Sequence, residues 1–164
     1  MKAYIGLGSN LGDREAMIRI AIDDLARLPG TRVLRASSLY DTEPVGDEEQ
    51  PRFLNAVAEI DTELTARQLL WNLLLIEKRL GRVRSHRYGP RTIDLDLLTY
   101  GHLVIDEPDL QVPHPEMAKR SFVLVPLLEI DPLATLPGTG ETLASLLEKL
   151  AAKPLTRRGS RLWN

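Results

Sequence analysis

Apolar and polar residues follow two different periods along the first hundred positions, and each switch of period marks a new predicted element. A two-residue period or a short apolar run predicts strands at residues 2–7, 33–40, 53–62 and 92–99. A helical period predicts two helices, with apolar faces at Met17, Ala21, Leu25 and Leu28 and at Leu69, Leu73, Ile76 and Leu80. Proline and glycine at positions 29 and 30 end the first helix. Thr65 caps the second helix and Gly81 closes it.

The strand at 53–62 shows the most regular alternation in the chain. Its apolar positions alternate with a second set that is polar at three of four positions, as expected of a strand that is buried on one face only. The apolar set is Leu54, Ala56, Ala58 and Ile60, and the other set is Asn55, Val57, Glu59 and Asp61.

These elements follow one another as β-α-β-β-α-β, which is the ferredoxin-like order. We predict an α+β fold with a ferredoxin-like core, a mainly antiparallel sheet, helices packed on that sheet, and C-terminal helical additions. Swapped or additional strands would give a similar pattern, so the order alone leaves the topology open. After Gly101 the sequence predicts a short strand at 103–105, a proline-bounded loop at 112–115, and helical stretches near 122–130 and 141–152.

Composition limits the class of protein further. The 164 residues contain no repeat or linker, so one domain over residues 1–164 is expected. The absence of cysteine excludes disulfides, thiolate metal ligands and cysteine nucleophiles. The N-terminus has no signal-peptide pattern and no apolar run is long enough to span a bilayer, so a cytoplasmic protein without membrane contact is expected. A net charge of −2 and a pI near 5.9 give no basic field that would attract nucleic acid.

Asp94 and Asp96 are the clearest candidate site residues, because they interrupt an otherwise apolar strand. Residues two apart in a strand share a face, with Cα atoms roughly 7 Å apart. Paired carboxylates repel each other unless a cation lies between them or one is protonated. Their hard oxygen atoms suit Mg²⁺. The alternative is a solvated strand face.

The segment at 81–91 favours a metal site at Asp94 and Asp96 over a solvated strand face. It carries four arginines and two glycines directly before the acidic pair, which is typical of an anion-binding lid. A second arginine cluster, Arg157, Arg158 and Arg161, is interpreted as a solvated terminus. The glycines at 6–12 break the G-x-G-x-x-G spacing, and no Walker-type loop is present, so we interpret 6–12 as a turn rather than a ligand contact.

Three further groups of residues have two interpretations each. Phe53 and Asn55 share one strand face and suit a slot for a flat heterocycle, although either of the chain's two phenylalanines, Phe53 and Phe122, is more often a core residue. His114 lies between two prolines with Lys119 and Arg120 nearby, so it contacts phosphate or packs in the loop. Glu77 ends the second helix, where it serves the nucleotide or pairs with Arg79 or Arg82 on the surface.

Residues 87–98, Arg-Tyr-Gly-Pro-Arg-Thr-Ile-Asp-Leu-Asp-Leu-Leu, resemble the signature of the 6-hydroxymethyl-7,8-dihydropterin pyrophosphokinases, a family of folate-pathway enzymes. Four other segments resemble motifs of that family in the same order: 4–12, 37–44, 53–56 and 112–115. The resemblance extends over residues 2–130. It implies transfer of pyrophosphate from ATP to the hydroxymethyl oxygen of the pterin, with release of AMP, by a monomeric enzyme.

The resemblance also implies roles for individual residues. Asp94 and Asp96 would bind two Mg²⁺ ions that bridge the ATP phosphates, with Arg82 and Arg91 completing the catalytic set. The expected ATP-binding residues are Glu77, Arg84, His114 and Arg120. The expected pterin-binding residues are Thr42, Pro44, Val45, Phe53, Asn55, Tyr88 and Phe122. The general base is unassigned, with Asp96 a candidate.

The chain departs from the family pattern at three positions. Asp109 stands where some members have arginine, Tyr88 where tryptophan is common, and Leu74 where some relatives have a polar residue. Two alternatives to the pyrophosphokinase remain at this stage: another two-metal phosphohydrolase or nucleotidyl transferase, and a non-catalytic module that binds a small ligand.

Overall fold

The fold is known here from a computed structural model that describes residues 1–42, 52–81, 93–150 and 155–163. Within these ranges the strands are β1 (Lys2–Ser9), β2 (Thr31–Ala36), β3 (Leu39–Thr42), β4 (Phe53–Thr62), β5 (Asp94–Tyr100), β6 (Ile105–Glu107), β7 (Leu110–Val112) and β8 (Thr156–Arg158). The helices are α1 (Arg14–Ala26), α2 (Ala66–Arg79), α3 (Ser121–Ile130) and α4 (Leu143–Glu148). None of these helices is long and apolar enough to cross a membrane.

The main sheet confirms the predicted α+β class with a ferredoxin-like core. Its strand order is β5-β1-β4-β3-β8, with β2 also paired to β4, and all of these pairings are antiparallel. The strand β5, which carries the two aspartates, lies at one edge. β6 and β7 form a separate hairpin.

Helices cover both faces of this sheet. Ile18, Ala21, Ile22 and Leu25 of α1 and Leu69, Leu73 and Ile76 of α2 are buried in the larger apolar cluster on one face. Leu124, Leu127 and Ile130 of α3 and Leu143 of α4 form the smaller cluster on the other face. The predicted cap of α2 is confirmed, since Thr65 and Gln68 form a capping box. In α1, Ile18 and Ile22 are buried where Met17 was predicted.

The prediction that β4 is buried on one face only was wrong. Leu54, Ala56, Ala58 and Ile60 do face α1 and α2, but Val57 of the other set is fully buried against α3. The alternation is present, but the second face is covered by α3, which begins 59 residues after the end of β4 (121 − 62), and Val57 is the one apolar residue of the second set.

The predicted single strand at 33–40 is two strands. Ser37 and Ser38 interrupt it, and both side chains are fully buried. The Ser37 amide donates to the Val57 carbonyl oxygen at 2.9 Å, and the Ser37 hydroxyl accepts from the Val57 amide at 3.0 Å. β2 and β3 therefore pair with successive parts of β4. The predicted short strand at 103–105 is likewise displaced, to Ile105–Glu107.

The interpretation of the C-terminal arginines as a solvated terminus was also wrong. Residues 156–158 form β8 and pair with β3. Arg157 and Arg161 both contact the carboxylate of Glu129 on α3, and Arg158 contacts Asp41. Their side chains remain partly exposed, but they hold the end of the chain on the sheet.

The carboxylate of Glu129 joins this segment to the core. It accepts hydrogen bonds from the Ser38 amide at 2.9 Å, the Ser38 hydroxyl at 3.0 Å and the Tyr40 hydroxyl at 2.8 Å. Burial by itself would raise the pKa of Glu129, but the hydrogen bonds from Ser38 and Tyr40 and the charge of Arg157 outweigh burial and lower this pKa. The ionised form is therefore the one that stabilises the fold.

We expect Glu129→Gln to reduce the loss of stability in acid. Because the folded-state pKa of Glu129 is depressed, its contribution is present above its unfolded pKa, about 4.3, and is lost as pH falls through the folded value. Between pH 7 and about pH 3 the wild type should therefore lose more unfolding free energy than the variant. Urea denaturation at each pH measures this, with Glu141→Gln as the matched control because Glu141 is exposed and pairs with the exposed Lys149. Parallel pH profiles of Glu129→Gln and wild type would contradict the assignment.

Candidate active site

One row of paired residues crosses the sheet and brings the predicted metal and heterocycle residues together. Gly8 of β1 pairs with Asp94 of β5 on one side and with Asn55 of β4 on the other. Residues paired across antiparallel strands point to the same face. A parallel row two residues away contains Asp96, Gly6 and Val57. Since Val57 is buried against α3, both aspartates share the α3 face, as the sequence predicted.

Gly6 and Gly8 lie between the aspartates of β5 and the side chains of β4, and they have no side chains of their own to fill this part of the sheet face. A Cβ atom added at Gly6 would lie 3.7 Å from the Cβ of Asp96, and one added at Gly8 would lie 2.9 Å from Oδ1 of Asn55. The interpretation of Gly6 and Gly8 as turn residues was wrong, because β1 continues through Ser9. The signal that was missed is the two-residue spacing of the glycines, which places both on one strand face.

The two aspartates have the chemistry that Mg²⁺ requires. Both are partly buried at the edge strand, and the Asp96 side chain keeps 44% of its exposure. No group of three or more histidine, aspartate or glutamate side chains that would hold a metal occurs within the described ranges. Mg²⁺ is commonly held by one or two carboxylates, with phosphate oxygens and water completing its octahedron. The residues present therefore fit a Mg²⁺-polyphosphate complex.

His114 and Arg120 lie beside Asp96 and supply donors for an anion. Nη1 of Arg120 is 3.9 Å from Oδ2 of Asp96. The Glu116 amide donates to Nδ1 of His114 at 3.1 Å, so Nε2 carries the proton of the neutral ring and is the donor. Burial lowers the pKa of His114, Asp96 opposes this shift, and the charge of Arg120 adds to it. The arrangement favours phosphate contact over simple packing for His114.

Asn55 is held in a fixed orientation at the other end of the row. Its Nδ2 donates to Oγ1 of Thr42 at 2.7 Å, and both residues are buried. Phe53 precedes it by two residues and is partly exposed on the same face, with its ring within 3.9 Å of the position that a Gly8 Cβ would take. The predicted pairing of an amide and an aromatic ring on one strand face is therefore present.

Phe122 lies in the first turn of α3, on the helix that covers this face. It is partly buried and packs against the smaller apolar cluster. The Arg120 guanidinium carbon is 5.6 Å from the centroid of its ring, within cation–π distance. Phe122 thus lies two residues from a donor that reaches the acidic pair.

A cavity of about 420 Å³ opens along the edge of β5, between α2 and the β6–β7 hairpin. Asp94, Asp96 and His114 line one part of it, and the side chains that line the rest include Leu70, Leu74, Asp109, Leu110 and Gln111. This cavity combines an acidic end with an apolar wall, as an ATP site requires.

Two of the departures from the family pattern contribute to this cavity. Leu74 adds to its apolar wall and is 45% exposed. Asp109 accepts a hydrogen bond from Arg67 of α2 at 2.8 Å, and Arg67 also pairs with Glu107. These ion pairs fix the hairpin to α2. The hydrogen bond from Arg67 lowers the pKa of Asp109.

Glu77 is not the surface residue that the sequence predicted. It is only 4% exposed, and its Oε2 accepts a hydrogen bond from the Leu95 amide at 2.7 Å. Arg79 instead pairs with Asp24 of α1 at 2.9 Å. Glu77 fixes the backbone between the two aspartates, and it also lines the edge cavity. Its assignment to ATP stays a prediction.

Six of the predicted site residues lie outside the described ranges: Arg82, Arg84, Arg91, Pro44, Val45 and Tyr88. Their roles stay predictions.

Comparison with known proteins supports the resemblance seen in the motifs. A family model described as 7,8-dihydro-6-hydroxymethylpterin-pyrophosphokinase (HPPK) matches residues 4–132. The 2-amino-4-hydroxy-6-hydroxymethyldihydropteridine pyrophosphokinase of Methylorubrum extorquens is 47% identical over 156 residues, which cover 95% of this chain and 98% of that protein. The enzyme of the same name from Pseudomonas aeruginosa is 47% identical over 146 residues, covering 89% and 90%.

Solved structures show the same fold. The chain superposes on Plasmodium falciparum HPPK-DHPS, solved as a triple mutant with SDX-DHP and as the wild type with pteroate, with a TM-score of 0.71 in both cases. The sequence identity is 15%, so these structures support the fold alone. The match covers 90% of this chain but only 44% and 42% of those chains, so the chain spans less than half of their length.

Proposed function

The chain belongs to the 7,8-dihydro-6-hydroxymethylpterin-pyrophosphokinase family, and from that membership we propose how its own residues transfer pyrophosphate from ATP to the pterin. The enzyme converts ATP and 6-hydroxymethyl-7,8-dihydropterin to AMP and the pterin diphosphate in folate biosynthesis. A cytoplasmic monomer is the form we propose for it.

The observation that supports the residue assignments is the row Asp94–Gly8–Asn55 on one sheet face. Two strand spacings of about 4.8 Å separate its ends, so the aspartates and the amide are about 10 Å apart. That distance allows the acceptor hydroxyl to reach a phosphate at the aspartates while the pterin ring contacts Asn55. Gly8, which lies between Asp94 and Asn55, has no side chain that would block a substrate spanning the two.

Asp94 and Asp96 are proposed to hold two Mg²⁺ ions together with the ATP phosphates. Held there, Mg²⁺ would neutralise phosphate charge and favour attack at the β-phosphorus. The carboxylates supply two fixed oxygen sets on a rigid strand, which reduces the entropy lost on ordering the polyphosphate. Asp96, whose Oδ2 is 3.9 Å from Nη1 of Arg120, is also the candidate acceptor for the hydroxymethyl proton.

His114 and Arg120 are proposed to bind phosphate, together with Arg82, Arg84 and Arg91. Nε2 of His114 donates one hydrogen bond, and the Arg120 guanidinium offers a bidentate fork to phosphate oxygens. The edge cavity, with its apolar wall at Leu70 and Leu74, is proposed to hold the adenosine part. Glu77 supports this region through the Leu95 amide.

Asn55 and Thr42 are proposed to read the edge of the pterin ring. Nδ2 of Asn55 is already engaged by Thr42, which orients Oδ1 as an acceptor for a ring N–H or amino group. Phe53 and Phe122 are proposed to stack on the two faces of the ring. Pro44, Val45 and Tyr88 complete this proposed site.

The identity of the nucleotide product tests the whole proposal. Incubated with Mg²⁺, ATP and 6-hydroxymethyl-7,8-dihydropterin, the protein should release one AMP per pterin diphosphate, measured by ion-exchange chromatography. Omitting the pterin or chelating Mg²⁺ should stop AMP release, and restoring Mg²⁺ should recover it. Formation of ADP or free phosphate would instead identify another phosphotransferase or a phosphohydrolase. Ligand binding without any product would identify a non-catalytic module.

A further inference from the structure

The C-terminal segment, residues 155–163, lies beyond the part of the chain that the family model matches. β8 within it pairs with the whole of Leu39–Asp41 in β3. After a turn at Gly159, the Leu162 amide donates to the Ser37 carbonyl oxygen at 3.1 Å, and the Ala36 amide donates to the Trp163 carbonyl oxygen at 2.9 Å. The segment therefore follows the sheet from the end of β2 to Asp41, next to Thr42.

Arg157 extends the row that contains the proposed catalytic and pterin residues. It pairs with Tyr40, which pairs with Asn55, so the row runs Asp94–Gly8–Asn55–Tyr40–Arg157 across five strands. Arg157 also donates to the Ser38 hydroxyl at 3.0 Å. Burial, followed by the hydrogen bond to Glu129, raises the pKa of Tyr40 to about 12, so its hydroxyl stays a donor.

Arg158 holds the residue directly before Thr42. Its Nη1 is 3.4 Å from Oδ2 of Asp41, while Nη1 of Arg14 in α1 is 3.4 Å from Oδ1 of the same carboxylate. Arg14 also donates to the Arg52 carbonyl oxygen at 2.6 Å. Asp41 is thus fixed from two sides, and the strand end that carries Thr42 is fixed with it.

We propose that the C-terminal segment positions the acceptor-substrate site, with Arg157 and Arg158 acting through Tyr40 and Asp41 to hold Asn55 and Thr42 in the geometry that binds the pterin. This role rests on the proposed assignment of Asn55 and Thr42 to pterin recognition. The two arginines are positioning residues, because they contact the strand that carries the site and not the reacting atoms.

The position of the segment makes its effect selective. It pairs with β3, whereas the edge cavity and the aspartates lie on β5, at the opposite edge of the sheet. Loosening β3 displaces Thr42 and the amide it orients, but it leaves Asp94, Asp96 and His114 in place. The side chains of Arg157 and Arg158 are 56% and 48% exposed, so removing them leaves the core intact.

The test is the double variant Arg157→Ala/Arg158→Ala, compared with wild type in steady-state kinetics and in pterin titrations with Mg²⁺ and a non-hydrolysable ATP analogue. We expect the KM and Kd for the pterin to rise about fivefold, with the KM for ATP and the melting temperature close to wild type. Arg157→Lys/Arg158→Lys should recover much of the pterin affinity. The matched control is Arg32→Ala/Lys149→Ala, which removes two exposed cations paired with Asp61 and Glu141.

Two outcomes would overturn the proposal. One is unchanged pterin affinity in the alanine double variant. The other is an equal loss of pterin and ATP affinity together with a lower melting temperature, which would show general destabilisation. Asn55→Ala, measured alongside, separates this proposal from the site assignment. If Asn55→Ala weakens pterin binding and the arginine variant does not, only the role of the C-terminal segment is wrong. If neither variant weakens it, the assignment of the pterin site is wrong as well.

Discussion

Asp94→Ala is expected to lower kcat by about a thousandfold or more while leaving pterin binding measurable. Loss of one transition-state charge stabiliser typically costs a factor of about a hundred to a thousand, and here the same side chain also holds the reacting polyphosphate in place. Asp94 lies on a strand that is paired to β1 along its length, so its carboxylate is held in a fixed position. Pterin binding should persist because Asn55 and Thr42 lie two and three strands away from β5.

The measurement is AMP release at saturating ATP and pterin over a Mg²⁺ titration, with pterin affinity from a separate fluorescence titration. Asp23→Ala is the matched control: it removes an exposed carboxylate from α1, which covers the sheet face opposite the two aspartates. Turnover at the wild-type rate would exclude Asp94 from the metal site.

The acidic pair was predictable from sequence because its signal is local. A strand has a fixed two-residue repeat, so Asp94 and Asp96 must share a face wherever the strand lies. Asn55 and Phe53 follow from the same rule. Sequence alone does not determine that these two faces are the same face of one sheet, since that depends on the register of β1 with both neighbours.

Long-range packing accounts for the errors. The sequence predicted that β4 is buried on one face only because α3, which covers its second face, is distant in sequence. It predicted that Glu77 lies on the surface because its hydrogen-bond donor is a backbone amide on β5, which the sequence does not reveal. The sequence predicted a solvated terminus for the C-terminal arginines because their partners are also distant in sequence. The carboxylates that bind them are Asp41 of β3 and Glu129 of α3. Such partners become visible only once the topology is known.

Asn55→Ala is expected to weaken pterin binding by about thirtyfold or more, with the KM for ATP unchanged. The amide is buried and oriented by Thr42, and its removal leaves polar atoms of the ring edge and of Thr42 without a partner in a desolvated site. Such a loss costs about 2 kcal/mol or more. Isothermal titration with the pterin, in the presence of Mg²⁺ and an ATP analogue, measures it. Asn72→Ala removes an amide from the surface of α2 and should leave pterin affinity unchanged.

A pair of glycine variants tests the same amide without deleting it. A Cβ at Gly8 would lie 2.9 Å from Oδ1 of Asn55, so Gly8→Ala must displace the oxygen proposed to read the pterin and should reproduce most of the affinity loss. A Cβ at Gly6, in the same strand and on the same face, would come no closer than 3.5 Å to its neighbours, so Gly6→Ala should leave pterin affinity near wild type. Equal pterin affinities in the two glycine variants would show that Oδ1 of Asn55 does not contact the ring, whatever Asn55→Ala does. A loss of pterin affinity in Gly8→Ala but not in Gly6→Ala would indicate that the ring edge contacts Asn55, which is paired through Gly8 with Asp94.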